Sequence, residues 1–202
     1  MPGDDCIERP LFGGAISTVF PLRFQDISNI RPVPDHQEVF ADPNRDESLI
    51  FELLDLKRDV EDDGSAIWFL RDLATEQDAE GSLMLEHSGM ADVEGLRYRD
   101  IPTVITTAVG QMSISKGRQG REALNIVRVY LANIRLKEVG TDVLITAYEP
   151  LLINPLSESA RTVGYGPAVP ARESGCLPVA DAFQLAVSNF KVHDWNLFGA
   201  GP

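Results

Sequence analysis

Cysteine is nearly absent from this sequence, with Cys6 and Cys176 the only two in 202 residues. Their wide separation excludes a CxxC redox pair and a zinc-ligand cluster, and two free thiols are the expectation. Histidine is equally sparse: His36, His87 and His193 stand alone, without the HExxH or HxH spacing that a metal site needs. There is no GxSxG nucleophile elbow, no GxGxxG around Gly13-Gly14, and no lysine followed by Ser or Thr, which removes the Walker A loop. Long apolar runs are missing too, and nothing approaches the roughly 18 uninterrupted residues of a membrane helix. The first ten residues, MPGDDCIERP, are acidic where a secretory signal is apolar, so an intracellular address is expected. No catalytic residue, cofactor or metal is assigned on these grounds.

What is present is an ordinary globular composition, 44% hydrophobic and 24% charged. A chain of this length can bury a real core as one domain without staples, so residues 1–202 are read as a single domain. Its net charge of −13 is unevenly placed. Residues 1–100 carry 9 Lys and Arg against 23 Asp and Glu, while residues 101–202 carry 9 against 8. The acidic half would repel DNA or RNA, whose binding draws on Lys and Arg displacing counterions. A protein partner with a basic face fits that half better.

Periodicity supplies the elements. Leu11–Phe20, LFGGAISTVF, reads as a buried strand entered through the Gly13-Gly14 bend, and Ser48–Leu56 as another strand. Ala66, Phe69, Leu70 and Leu73 fall on one helical face behind the turn residues Asp62–Ser65, and the helix should end near Thr75. From Val104 to Ile114 the apolar and small residues share one parity, a half-buried strand. The runs 125–136 and 142–149 flank a glycine-containing linker and should pair antiparallel, with Arg128 and Arg135 facing solvent or acids. Between 116 and 121 lies a basic stretch read as a solvated turn, and 150–178 reads as a long Pro/Gly-rich crossover loop. Val179, Ala182, Phe183, Ala186, Val187 and Phe190 then form the strongest helical stripe in the chain.

The candidate site is Asp26–Phe40, DISNIRPVPDHQEVF, where charges and two prolines stand in place of aliphatics. Pro32 and Pro34 fix φ and push Arg31 and Val33 toward extended conformations, so the backbone is stiffened before a partner arrives. Asp26, Arg31, Asp35, Gln37 and Glu38 are the candidate partner-binding residues. Asp35 and Glu38 also form an acid pair, but without burial to separate their pKa values a hydrolase is the lesser reading.

Four blocks, PLFGGAISTVFP, DISNIRPVPDHQEVF, DESLIFELLDL and FKVHDWNLFG, resemble in order and spacing the Mog family of nuclear-import factors. The resemblance implies an α+β (α/β) domain with a largely antiparallel central sheet flanked by helices on both faces, a sandwich similar to the PsbP proteins. It also implies binding to the small GTPase Ran, with or without a further Ran-binding protein, and guanine-nucleotide release from it. This would support protein import and place the chain in nucleus and cytoplasm, with no enzyme activity of its own. The resemblance places the acids of the family's binding face at Asp35 and Glu38, with Asp26 upstream as a further candidate. The competing class is an acidic interaction module of PsbP-like fold with another basic partner.

Overall fold

The computed structural model describes residues 4–91, 96–98, 101–115 and 121–199. Most of the basic stretch read as a solvated turn, Lys116–Gly120, therefore lies outside the described residues. In chain order the elements are β1 (Cys6–Leu11), β2 (Ile16–Pro21), β3 (Gln25–Asp26), β4 (Gln37–Asp42), β5 (Glu47–Asp55), α1 (Ser65–Glu76) and β6 (Met84–Met90). There follow β7 (Arg97–Tyr98), β8 (Ile101–Pro102), β9 (Val104–Ile114), β10 (Asn125–Leu136) and β11 (Thr141–Ile153). The chain continues through α2 (Glu158–Val163), β12 (Gly166–Pro167), α3 (Val179–Ser188) and β13 (Lys191–Val192).

An eight-stranded antiparallel sheet, ordered β3-β4-β5-β11-β10-β9-β6 with β12 paired to β11, divides the molecule. Strand alternation sends neighbouring residues to opposite sides. On one side Phe40, Phe51, Ile134 and Ile145 meet Ile16 and Phe20 of a three-stranded sheet, β1-β2-β13, and Phe183 of α3. Phe20 and Phe40 pack edge to face at 4.8 Å between ring centroids. On the other side Ala108, Met112, Val129, Leu131 and Leu144 meet Phe69 and Leu70 of α1. Helices thus cover both faces of a largely antiparallel sheet, the α+β architecture expected from the sequence.

α1 sits where its sequence and its seat agree. Asp62 and Asp63 precede it, favourable charges at the positive end of a helix, and the Thr106 hydroxyl of β9 accepts from the Ala66 N–H at 3.1 Å. The helix packs mainly on β9 and β10, and Gly110 of β9 permits this: a Cβ there would lie 2.9 Å from the Met84 carbonyl and 3.4 Å from a Leu70 methyl. Because α1 is displaced toward that side, the same face of β11, β5 and β4 is left partly uncovered.

The connection from β5 to α1 is tied down by a buried cation. Arg135, 3% exposed, bonds through Nε to Asp142 Oδ1 at 3.0 Å and through Nη1 to Asp62 Oδ1 at 3.1 Å and the Val60 carbonyl at 2.6 Å. It also donates to the Lys57 carbonyl, and the Lys57 N–H donates to Asp142 Oδ2 at 2.8 Å. Arg128 is less buried and pairs with Glu86 and Glu149.

The 150–178 stretch differs from the loop read in the sequence. β11 runs on to Ile153, α2 follows, and β12 returns to pair with Leu152 and Ile153 before α3 begins. Elements of two to six residues are too short to leave a periodic trace in a Pro/Gly-rich stretch.

Candidate functional site

β3 and β4 form the outer edge of the large sheet, and the ten residues between them, 27–36, make the candidate surface. Their path is held by main-chain bonds. Ile27 N–H donates to the Val39 carbonyl at 3.1 Å, Ile30 and Arg31 N–H both return to the Ile27 carbonyl, and Gln37 N–H donates to the Pro34 carbonyl at 2.9 Å. Leu53 N–H reaches the His36 carbonyl at 2.9 Å, fixing the far end on β5. With Pro32 and Pro34 between these anchors, the segment stands away from the core without needing side chains to hold it.

Its side chains are accordingly free to project. Asp26, Arg31, Asp35 and His36 are exposed, and Ile30 is 83% exposed. Asp26 caps the Ser28 N–H at 2.8 Å, which turns the chain out of β3. Gln37 and Glu38 behave differently, because they begin β4 and alternate across the sheet. Gln37, opposite Glu52, faces the α1 side and donates its amide to the Glu52 carboxylate. Glu38 faces the α3 side with Phe40, and its Oε1 accepts the Phe12 N–H at 2.8 Å. Phe12 has φ 50° and Gly13 φ 68°, so this bond secures the β1–β2 turn at left-handed backbone. The five candidate residues therefore do not form one patch: Arg31 and Asp35 project from the segment, Asp26 stands at its start in β3, and Gln37 and Glu38 flank its end on opposite faces.

The molecule's own arginines form no ion pair with these acids among the described residues. Arg23 is committed to Asp4, Asp42 and Glu47, Arg45 to Glu47, and Arg135 to Asp62 and Asp142. Neither Asp26, Asp35 nor Glu38 enters an ion pair among the described residues. Asp26 lies within electrostatic range of Arg9, whose pKa burial lowers and Asp26 partly restores.

Groups that could suggest catalysis are not arranged for it. Asp35 is exposed and Glu38 is half-buried on a backbone N–H, so nothing desolvates either as an acid–base pair requires. A Ser–His–carboxylate cluster does occur, with Ser17 Oγ 2.6 Å from His193 Nε2 and 2.7 Å from Glu8 Oε1. There the carboxylate accepts the serine hydroxyl's hydrogen bond itself and approaches the same imidazole nitrogen at 4.0 Å, whereas a relay needs it on the other one. Among the described residues, no group of three or more His, Cys, Asp or Glu could hold a metal ion, and no helix is long and apolar enough to cross a membrane.

Comparison with known proteins decides the family. Residues 9–150 match the family described as Ran-interacting Mog1 protein. The chain belongs to the Mog1 family. It is 33% identical over 198 residues to the Ran guanine nucleotide release factor of Danio rerio, covering 96% of this chain and 100% of that protein. It is 30% identical over 193 residues to the nuclear import protein MOG1 of Saccharomyces cerevisiae, covering 95% of this chain and 84% of that one. The 1.9 Å crystal structure of the Saccharomyces cerevisiae Ran-binding protein Mog1p superposes with a TM-score of 0.65 at 27% identity, over 96% of this chain and 99% of that one. The resemblance read from the sequence blocks is thus borne out over nearly the whole Mog1-type chain.

Two features of the surface escaped sequence reasoning. Ile30 shares its polar run with Ile27 and Val33, and nothing in the local pattern marks it as the exposed one of the three. The Phe12–Glu38 bond joins residues 26 apart in sequence, which no local pattern reports.

Proposed function

We propose that this Mog1-family chain binds the small GTPase Ran through the Asp26–Glu38 region and promotes guanine-nucleotide release from it, supporting protein import into the nucleus. The observation that carries this reading is the 27–36 segment itself: anchored at both ends, stiffened by Pro32 and Pro34, and presenting Asp35, Arg31 and Ile30 with no ion pair to Asp35 among the described residues. An exposed aliphatic beside free carboxylates supplies the two elements of a docking contact, an apolar anchor and a charge that steers and fixes register. The reading treats the whole chain as one domain, supported by two cores that share a single sheet. It assigns the chain no reaction of its own and a working place in both nucleus and cytoplasm.

A small GTPase holds its nucleotide through backbone N–H groups, a lysine and Mg²⁺ around the phosphates. A carboxylate brought beside that site competes for the lysine or the metal and lowers nucleotide affinity. On this reading Asp35 is the acid that does so, since Glu38 is already engaged by Phe12. The test is Asp35→Lys, with circular dichroism to check the fold, measuring Ran affinity and the off-rate of labelled GDP and GTP from Ran. Loss of binding and of accelerated release is expected; unchanged values for both overturn the assignment.

A further inference from the structure

The uncovered half of the sheet beside α1 forms a cleft of about 760 Å³, within the size range of small-molecule sites. Its floor is Ile50, Leu131 and Leu144, and its wall is the Trp68, Phe69 and Leu73 face of α1. Five carboxylates line it, Glu52 and Asp55 from β5, Asp59 from the connection, and Asp72 and Glu76 from α1, against a single basic residue, Lys57. That lysine is already engaged, its Nζ 5.2 Å from the centre of the Trp68 ring. Glu52 is partly engaged by Gln37, while Asp72 and Glu76 form no ion pair among the described residues.

Tyr148 adds a polar group directed into the cleft. It rises from β11 into the cleft and is 9% exposed, yet its hydroxyl has no hydrogen-bond partner among the described residues. The hydroxyl keeps contact with the solvent of the cleft, where a ligand's donor can reach it. Burial first, then the Glu76 and Glu52 carboxylates nearby, push its pKa up, so at neutral pH the group is a phenol able to accept a hydrogen bond from a cation. Burial, Asp72 and Glu52 likewise raise the pKa of Glu76, a sign of negative charge crowded at one spot.

We propose that this cleft is a binding site for a small amphiphilic cation, an apolar body carrying one ammonium group. The body lies on Ile50, Leu131 and Leu144 against the α1 wall, and the ammonium sits among Asp72, Glu76 and the Tyr148 hydroxyl. An anion of the same shape is repelled by the rim, and a neutral analogue leaves the carboxylates as crowded as before. The site shares only Gln37 with the surface proposed for Ran, so the two readings can fail separately.

The test titrates 4-phenylbutylamine, 4-phenylbutanol and 4-phenylbutyrate into the full chain in the absence of Ran. The readout is the two tryptophan indole N–H signals by NMR, assigned with Trp195→Phe. The amine is expected to move the Trp68 signal saturably, leave Trp195 still, and bind about tenfold or more tightly than the alcohol or the acid. Asp72→Asn with Glu76→Gln, shown folded by the dispersion of the spectrum, should weaken the amine about tenfold, and Tyr148→Phe a few-fold. An amine that fails to saturate below about 5 mM, an affinity equal to that of the acid or the alcohol, or a folded double variant with unchanged affinity each overturn the proposal.

Discussion

Glu38 is the residue at which a structural and a recognition role must be separated, and the structure says how large the structural share is. Its carboxylate accepts the Phe12 N–H at 2.8 Å across the mouth of the β1–β2 turn, where Phe12 is held at φ 50°. A hydrogen bond to a charged partner contributes about 1.5–3 kcal/mol when solvent is excluded, and the half-buried position discounts this to about 1–2 kcal/mol. Glu38→Ala removes the acceptor and should lower unfolding free energy by about 1–2 kcal/mol, whereas Glu38→Gln keeps an oxygen in place and should lose less than about 1 kcal/mol. Asp35→Ala removes no contact of the folded state and should stay within about 0.5 kcal/mol of the parent. Urea unfolding at fixed m-value reads the stability, and Ran affinity with nucleotide off-rate reads the function. Ran binding is expected to fall with Asp35→Ala at unchanged stability, and with Glu38→Ala only together with stability. A Glu38→Ala variant as stable as the parent would refute the reasoning, since its carboxylate would then be free for a partner.

Two further outcomes follow from the interior. Arg135→Met strands the fully buried Asp142 carboxylate with only the Asn133 amide and Lys57 N–H, so urea unfolding should show a loss of about 3–5 kcal/mol. Pairing it with Asp142→Leu should be less damaging than Arg135→Met alone; strictly additive losses would contradict a coupled pair. Gly110→Ala places a methyl 2.9 Å from the Met84 carbonyl and against Leu70, and should cost about 1–3 kcal/mol by the same measurement, with no loss meaning that α1 can shift freely on β9.

Much of this architecture was legible because burial imprints a period. Val104–Ile114 alternates in sequence and in the folded strand, and the α3 stripe Val179, Ala182, Phe183, Ala186 and Val187 is buried as its spacing predicts. Where burial is absent the signal vanishes. All seven residues of β6 are exposed at the sheet edge, so nothing alternates, and β1 carries Pro10, which an edge strand tolerates but which argues against a strand when read alone. The exposed 27–36 segment was legible from its prolines and charges. What could not be read was the sidedness of its end: Gln37 and Glu38 are adjacent letters of one sign of polarity, and only the Gln37–Glu52 and Glu38–Phe51 register places them on opposite faces. The cleft was hidden for a plainer reason, because its floor and walls come from β4, β5, α1, β10 and β11, and depend on how far α1 is displaced across the sheet.

The position of the candidate surface also constrains how a partner can engage it. A sheet edge invites strand addition, but this edge ends in β3, two residues long, and the chain leaving it meets Pro32 and Pro34 within ten residues. Neither proline offers an N–H, and Ile27, Ile30, Arg31 and Gln37 have spent theirs on the segment's own turns. A partner therefore finds few free main-chain donors to pair with, and on the proposed reading recognition falls to side chains: Asp35 and Arg31 for charge, Ile30 for apolar contact. Such an interface takes its on-rate from electrostatic steering, to which the acidic first half of the chain contributes at long range. The shortness of this edge is, on this argument, the same feature that makes recognition at it depend on charge.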